Sequence, residues 1–71
     1  MNITKILGKN LKELRTSRGI SQLELERRTG LAAGTISRIE HGNVTPTIVT
    51  LSKISRQLEL GETDKLKLIS F

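Results

Sequence analysis

Leucines and isoleucines repeat along the chain at intervals of three and four, the spacing that puts side chains on one face of an α-helix. In "TKILGKNLKELRTSRG", Leu7, Leu11 and Leu14 recur at i, i+4 and i+7, with Ile3 one turn earlier on the same stripe. Thr4 is placed to cap the start, and Gly19 follows the last turn as a left-handed stop. Gly8 costs roughly 1 kcal/mol relative to Ala inside a helix, so the firm helix is expected to begin there. "SQLELERRTG" opens with Ser21 and carries Glu24 three residues later, the capping-box pattern that satisfies first-turn amides. Leu25 and Thr29 form its inner face, and Gly30 stops it.

"LAAGTISRIEHG" puts Ile36 and Ile39 on a buried side and stops at Gly42. Thr45 and Pro46 then read as the N-cap and first-turn proline of a longer helix. Its inner stripe would be Ile48, Leu51, Ile54 and Leu58, ending near Gly61. The tail "ETDKLKLISF" stays open: Leu66 and Ile69 fit a helical turn, whereas Leu66 and Leu68 alternate like a strand. No repeat, low-complexity tract or long linker interrupts the pattern. The expected fold is all-α, a single compact domain over residues 1–71 with four or five helices.

The middle of the chain is the informative part. A short capped helix, the Gly30–Leu31 turn and a second short helix span residues of about 21–41. This is helix-turn-helix spacing, whose second helix can enter a DNA major groove. Charge supports that direction: 12 Lys and Arg against 7 Asp and Glu give +5, a balance suited to nucleic acid or an anionic membrane. The basic residues are spread over several helices and not along one, which disfavours the membrane. Phe71 is the only aromatic residue, which argues against stacking platforms for single strands. With no Cys and one His, no disulfide, thiolate or metal cage is expected. No apolar run approaches a membrane span or signal peptide, so a cytoplasmic location is expected. A nucleophile–base pair, a carboxylate dyad and a glycine-rich phosphate loop are all missing, so no enzyme, cofactor or small-molecule ligand is expected.

The run "SQLELERRTGLAAGTISRIEHGNVTPTIVTLSKISRQL" resembles the phage-repressor and Cro-like, or Xre-type, family of helix-turn-helix regulators. "LGKNLKELRTSRGIS" resembles that family's first helix, so the likeness covers about three quarters of the chain. The resemblance implies a lambda-repressor-like fold and a sequence-specific regulator, a repressor acting as a homodimer on palindromic double-stranded DNA. Ser21 and Gln22 would hold a phosphate at the N-terminus of the second helix, with Ser21 also its cap. Arg15 and Glu40 match positions that pair structurally in the family. The outward face of the third helix offers Ala33, Gly34, Ser37 and Arg38 to base edges. Small residues at its front would let the helix end approach closely, and Arg38 would either fork onto guanine or touch phosphate. His41, Asn43, Thr45 and Thr47 would line the sugar–phosphate backbone, whereas Lys53, Arg56, Lys65 and Lys67 fall outside the footprint.

Three positions depart from the family. Glu26 replaces the usual Ala where the two motif helices pack, and is expected to bend outward, to pair with a nearby base such as Arg27 or Arg38, or to loosen the helix crossing. Leu23 stands where a polar residue is normal, and Glu59 replaces a glycine after the fourth helix. The apolar tail Leu66, Leu68, Ile69 and Phe71, within residues 62–71, suits either a dimer contact or a fifth helix. A protein-interaction module, antitoxin-like or a co-regulator subunit, is the competing reading, favoured by Ala33, Gly34, Leu23 and Glu26.

Overall fold

The computed structural model describes residues 2–58, and these form four helices: α1 (Ile3–Ser17), α2 (Gln22–Thr29), α3 (Thr35–Glu40) and α4 (Ile48–Gln57). The all-α expectation holds for these residues. Glu59, Lys65, Lys67 and the tail positions Leu66, Leu68, Ile69 and Phe71 lie outside them. No described helix is long and apolar enough to cross a membrane.

The inward stripes meet in one core of Leu7, Leu11, Leu14, Leu25, Ile36, Ile39, Ile54 and Leu58, with Ile20, Leu31 and Leu51 packed against it. α3 lies against both α1 and α2, and α4 packs on α2. The guanidinium of Arg18 ties the C-terminal end of α1 to that of α4 by donating through Nε to the Leu58 carbonyl at 2.8 Å.

Several expected boundaries move, each for a physical reason. α1 is capped by Asn2, whose Oδ1 accepts from the Lys5 amide at 3.1 Å, and not by Thr4. The Thr4 hydroxyl instead meets the Thr45 hydroxyl at 2.6 Å, joining the start of α1 to the loop after α3. Thr45 and Pro46 therefore precede α4. Its cap is Thr47, with Oγ1 accepting from the Thr50 amide at 3.1 Å. The stripe of α4 is Leu51, Ile54 and Leu58, while Ile48 is 75% exposed. At about 100° per residue, Ile48 stands roughly 120° around the helix from Ile54.

Gly8 does not delay α1, which runs unbroken from Ile3. Its missing side chain serves packing instead: a Cβ there would lie 2.3 Å from the Ile39 carbonyl oxygen and 2.9 Å from that of Glu40. α1 thus crosses the end of α3 backbone to backbone.

On α2, the Ser21 hydroxyl accepts from the Glu24 amide at 3.0 Å, one half of the expected capping box, while the Glu24 side chain turns to arginines of its own helix and not to the Ser21 amide. The Glu24 carboxylate takes Arg27 Nη2 at 2.5 Å and Arg28 Nε at 2.8 Å. Hydrogen bonds from Arg27 and then Arg28 hold the Glu24 carboxyl down at about 2, against an ordinary 4.5.

Two outcomes are expected. Gly8→Ala destabilises the fold by about 1–3 kcal/mol by overpacking, read as a lower denaturation midpoint, although Ala favours helix elsewhere. A depressed carboxyl stabilises the fold above its unfolded value and loses that contribution as pH falls through its folded value. The Glu24 contribution should therefore fade between pH 4.5 and about 2. It should also shrink with added salt because the group and its arginine partners are in contact with solvent, and a carboxyl NMR titration measures the midpoint.

Candidate nucleic-acid interface

Everything that orients α3 comes from its neighbours, since a helix of six residues is too short to persist alone. Ile36 and Ile39 are fully buried and fix its inner side. At its rear, Glu40 accepts from Arg15 Nε at 2.7 Å through Oε2 and from Arg15 Nη2 at 3.0 Å through Oε1. The side chains of this fork are 9% and 2% exposed. Arg15 Nη1 donates to the Ile20 carbonyl at 2.7 Å, so the fork also pins the turn between α1 and α2. The structural pair read from the sequence is therefore formed.

Gln22 joins the same cluster. Its Nε2 donates to Glu40 Oε1 at 2.9 Å. Glutamate can only accept here, so the amide must present nitrogen, and one of its two protons remains for another acceptor. Ser21 and Gln22 stand together at the start of α2, Ser21 exposed and Gln22 half-buried.

The front of α3 differs from expectation. Ala33 and Gly34 lie in the turn before the helix, which begins at Thr35. Gly34 is the N-cap residue with φ 85°, a left-handed conformation that ends any helical path through it and that L side chains resist. The Thr35 amide donates back to the Ala32 carbonyl at 3.1 Å and closes this turn. Ala33 is exposed, Ser37 is half-buried and Arg38 is exposed. The Arg38 guanidinium folds forward: Nη2 donates to Thr35 Oγ1 at 3.4 Å, and Nη1 lies 3.0 Å from where a Gly34 Cβ would stand. The bare turn therefore makes room for the one long cationic side chain of α3, which periodicity could not reveal.

Behind α3, His41 Nδ1 lies 2.7 Å from the Ser37 carbonyl and 3.3 Å from the Ser37 hydroxyl. A carbonyl only accepts, so Nδ1 carries the proton and His41 closes its own helix end. The Asn43 amide donates to the Arg38 carbonyl at 3.0 Å and the Gly42 amide to that of Ile39 at 3.0 Å, a Schellman closure. Asn43, Thr45 and Thr47 are exposed, while Thr45 and Thr47 also spend their hydroxyls on Thr4 and Thr50. Lys53 and Arg56 are exposed on α4.

Glu26 is the residue whose role the sequence reading missed. It does not bend outward or pair with Arg27 or Arg38. It is 7% exposed, and its Oε2 accepts from the Ile36 amide at 3.1 Å. The signal was its occurrence where Ala is usual. The polarity of what lay beneath it was invisible because the amide belongs to another helix.

Two short helices crossing under a common core, with the second clamped from behind and exposed in front, define a helix-turn-helix DNA-binding protein. A family model described as Helix-turn-helix matches residues 11–65, and the chain belongs to that Xre-like family of transcriptional regulators. Among relatives, the chain is 31% identical over 64 residues to the uncharacterized HTH-type transcriptional regulator y4dJ of Sinorhizobium fredii, covering 90% of this chain and 83% of that one. It is 36% identical over 59 residues to the HTH-type transcriptional regulator SutR of Escherichia coli, covering 83% of this chain and 33% of SutR. The fold matches the crystal structure of the restriction-modification controller protein C.AhdI from Aeromonas hydrophila with a TM-score of 0.80 at 27% identity. That match covers 87% of this chain and 94% of C.AhdI.

Removing Glu40 leaves the Arg15 guanidinium buried without its counter-ion. Glu40→Ala should cost about 3–5 kcal/mol, measured by denaturant unfolding, with Glu40→Gln milder because it keeps an acceptor.

Proposed function

We propose that the chain is a sequence-specific double-stranded DNA-binding regulator, a repressor that binds a palindromic operator as a homodimer. One observation carries the reading. Arg38 is exposed and gathered over the front of α3, while Ile36, Ile39 and Glu40 hold the back of the same helix. A guanidinium at that place suits guanine O6 and N7, with Ala33 and Ser37 beside it for a thymine methyl and a polar base edge. Gly34 leaves room for that guanidinium to lie over the front of the helix. Ser21 and the second amide proton of Gln22 serve a phosphate, and Asn43, Thr45, Thr47 and His41 follow the neighbouring backbone. The net charge of +5 supplies attraction independent of sequence.

A homodimer doubles the small contact area of one α3 and reads half-sites about one DNA turn apart. The apolar positions Leu66, Leu68, Ile69 and Phe71 are the dimer contact we assign from the sequence pattern. The likeness to a restriction-modification controller supports a role in regulation. A protein-binding role is favoured by Leu23, 73% exposed on α2, together with exposed Ile48 and Val49 on α4.

Selection of bound sequences from random duplexes, with stoichiometry measured, tests the proposal. Arg38→Ala should lower affinity for the selected operator roughly 5- to 150-fold and relax one base position. Gln22→Ala should weaken all sequences alike. Log affinity should fall linearly with log salt, in proportion to phosphates contacted. No selected sequence and a flat salt response would favour the protein-binding role instead.

A further inference from the structure

α3 has a glycine at its N-cap and no side-chain cap of its own. The first amides of a helix need acceptors, and a buried amide left without one is costly. The acceptor for Ile36 arrives from α2, through the nearly buried carboxylate of Glu26. A carboxylate at a helix N-terminus makes a charge-assisted bond and complements the positive end of the helix. It therefore fixes the start of α3, next to the turn that holds Ala33 and Gly34 and beneath the forward-folded guanidinium of Arg38.

We infer that Glu26 is a positioning residue for DNA sequence discrimination: its bond to the Ile36 amide sets the front of α3 against the base edges. This deepens the proposed function and rests on it. The phosphate contacts assigned to Ser21 and Gln22 belong to α2 and do not pass through this bond. Loss of Glu26 should therefore affect the choice of sequence more than attraction to DNA in general. A purely structural role would lower both together, in step with stability.

The experiment compares the full chain with Glu26→Ala, Glu26→Asp and Glu26→Gln. Three quantities are measured: exchange of the Ile36 amide by NMR, denaturation midpoint, and affinity for the selected operator and for a random duplex. Glu26→Ala should speed Ile36 exchange and cut operator affinity about tenfold, with random-duplex affinity within about twofold. Glu26→Gln keeps an oxygen at the same reach and should restore most of the operator preference. Glu26→Asp draws the carboxylate back by one methylene and should lose part of it, which keeps the test alive if the Ala variant does not fold. Unchanged Ile36 exchange or unchanged operator preference in both the Ala and Asp variants would overturn the inference. So would a parallel fall of operator and random affinity that tracks stability. If the wild-type chain prefers no sequence, the DNA-reading proposal fails and the discrimination role falls with it. The capping bond is then judged separately, by Ile36 exchange alone.

Discussion

The buried fork between Arg15 and Glu40 is the interaction on which the rest of the arrangement depends. It joins the last turn of α1 to the last turn of α3, holds the Ile20 carbonyl of the intervening turn, and gives Gln22 of α2 its partner. Three helices and one turn thus share a single pair of charges. Such a pair adds little net stability compared with an apolar replacement, because desolvation offsets much of the attraction. Its contribution is geometric. Planar guanidinium and planar carboxylate fit in few orientations, so the crossing of α1 and α3 is defined in angle as well as distance.

Close contact along α1 makes that geometry reachable. With Gly8 lacking a side chain, the α1 backbone comes within reach of the carbonyls at the end of α3. Larger residues would lift α1 away and pull Arg15 off Glu40. The apolar stripe supplies most of the driving force, through Leu7, Leu11 and Leu14 against Ile36 and Ile39. Glycine and ion pair decide where that driving force stops.

The front of α3 is governed by different chemistry. Its rear is secured by charge and apolar packing, whereas its start depends on a turn with a left-handed Gly34 and on an acceptor borrowed from α2. The outward side is left with short side chains and one folded guanidinium. Strong anchoring behind and little bulk in front are consistent demands on a short helix that must approach another surface closely.

Periodicity and punctuation in the sequence determined that there would be helices, most of the positions that face inward (Ile3 and Ile48, 51% and 75% exposed, are the exceptions), and where α1, α2 and α3 would stop. Those features depend on local backbone preference and on burial of one face, both carried by residues near each other in the chain. The pairing of Arg15 with Glu40 was legible only through likeness to a family. Only the tertiary structure decided why Gly8 is glycine, which threonine caps α4, where Arg38 lies, and that Glu26 turns inward. Gly8, the cap of α4 and Glu26 depend on atoms distant in sequence: carbonyls of Ile39 and Glu40, the Thr4 hydroxyl, the amide of Ile36. Arg38 is placed by its near neighbours Thr35 and Gly34, through a side-chain conformation that periodicity does not specify. A side chain's partner across a helix crossing is set by the crossing itself, and no local pattern encodes it.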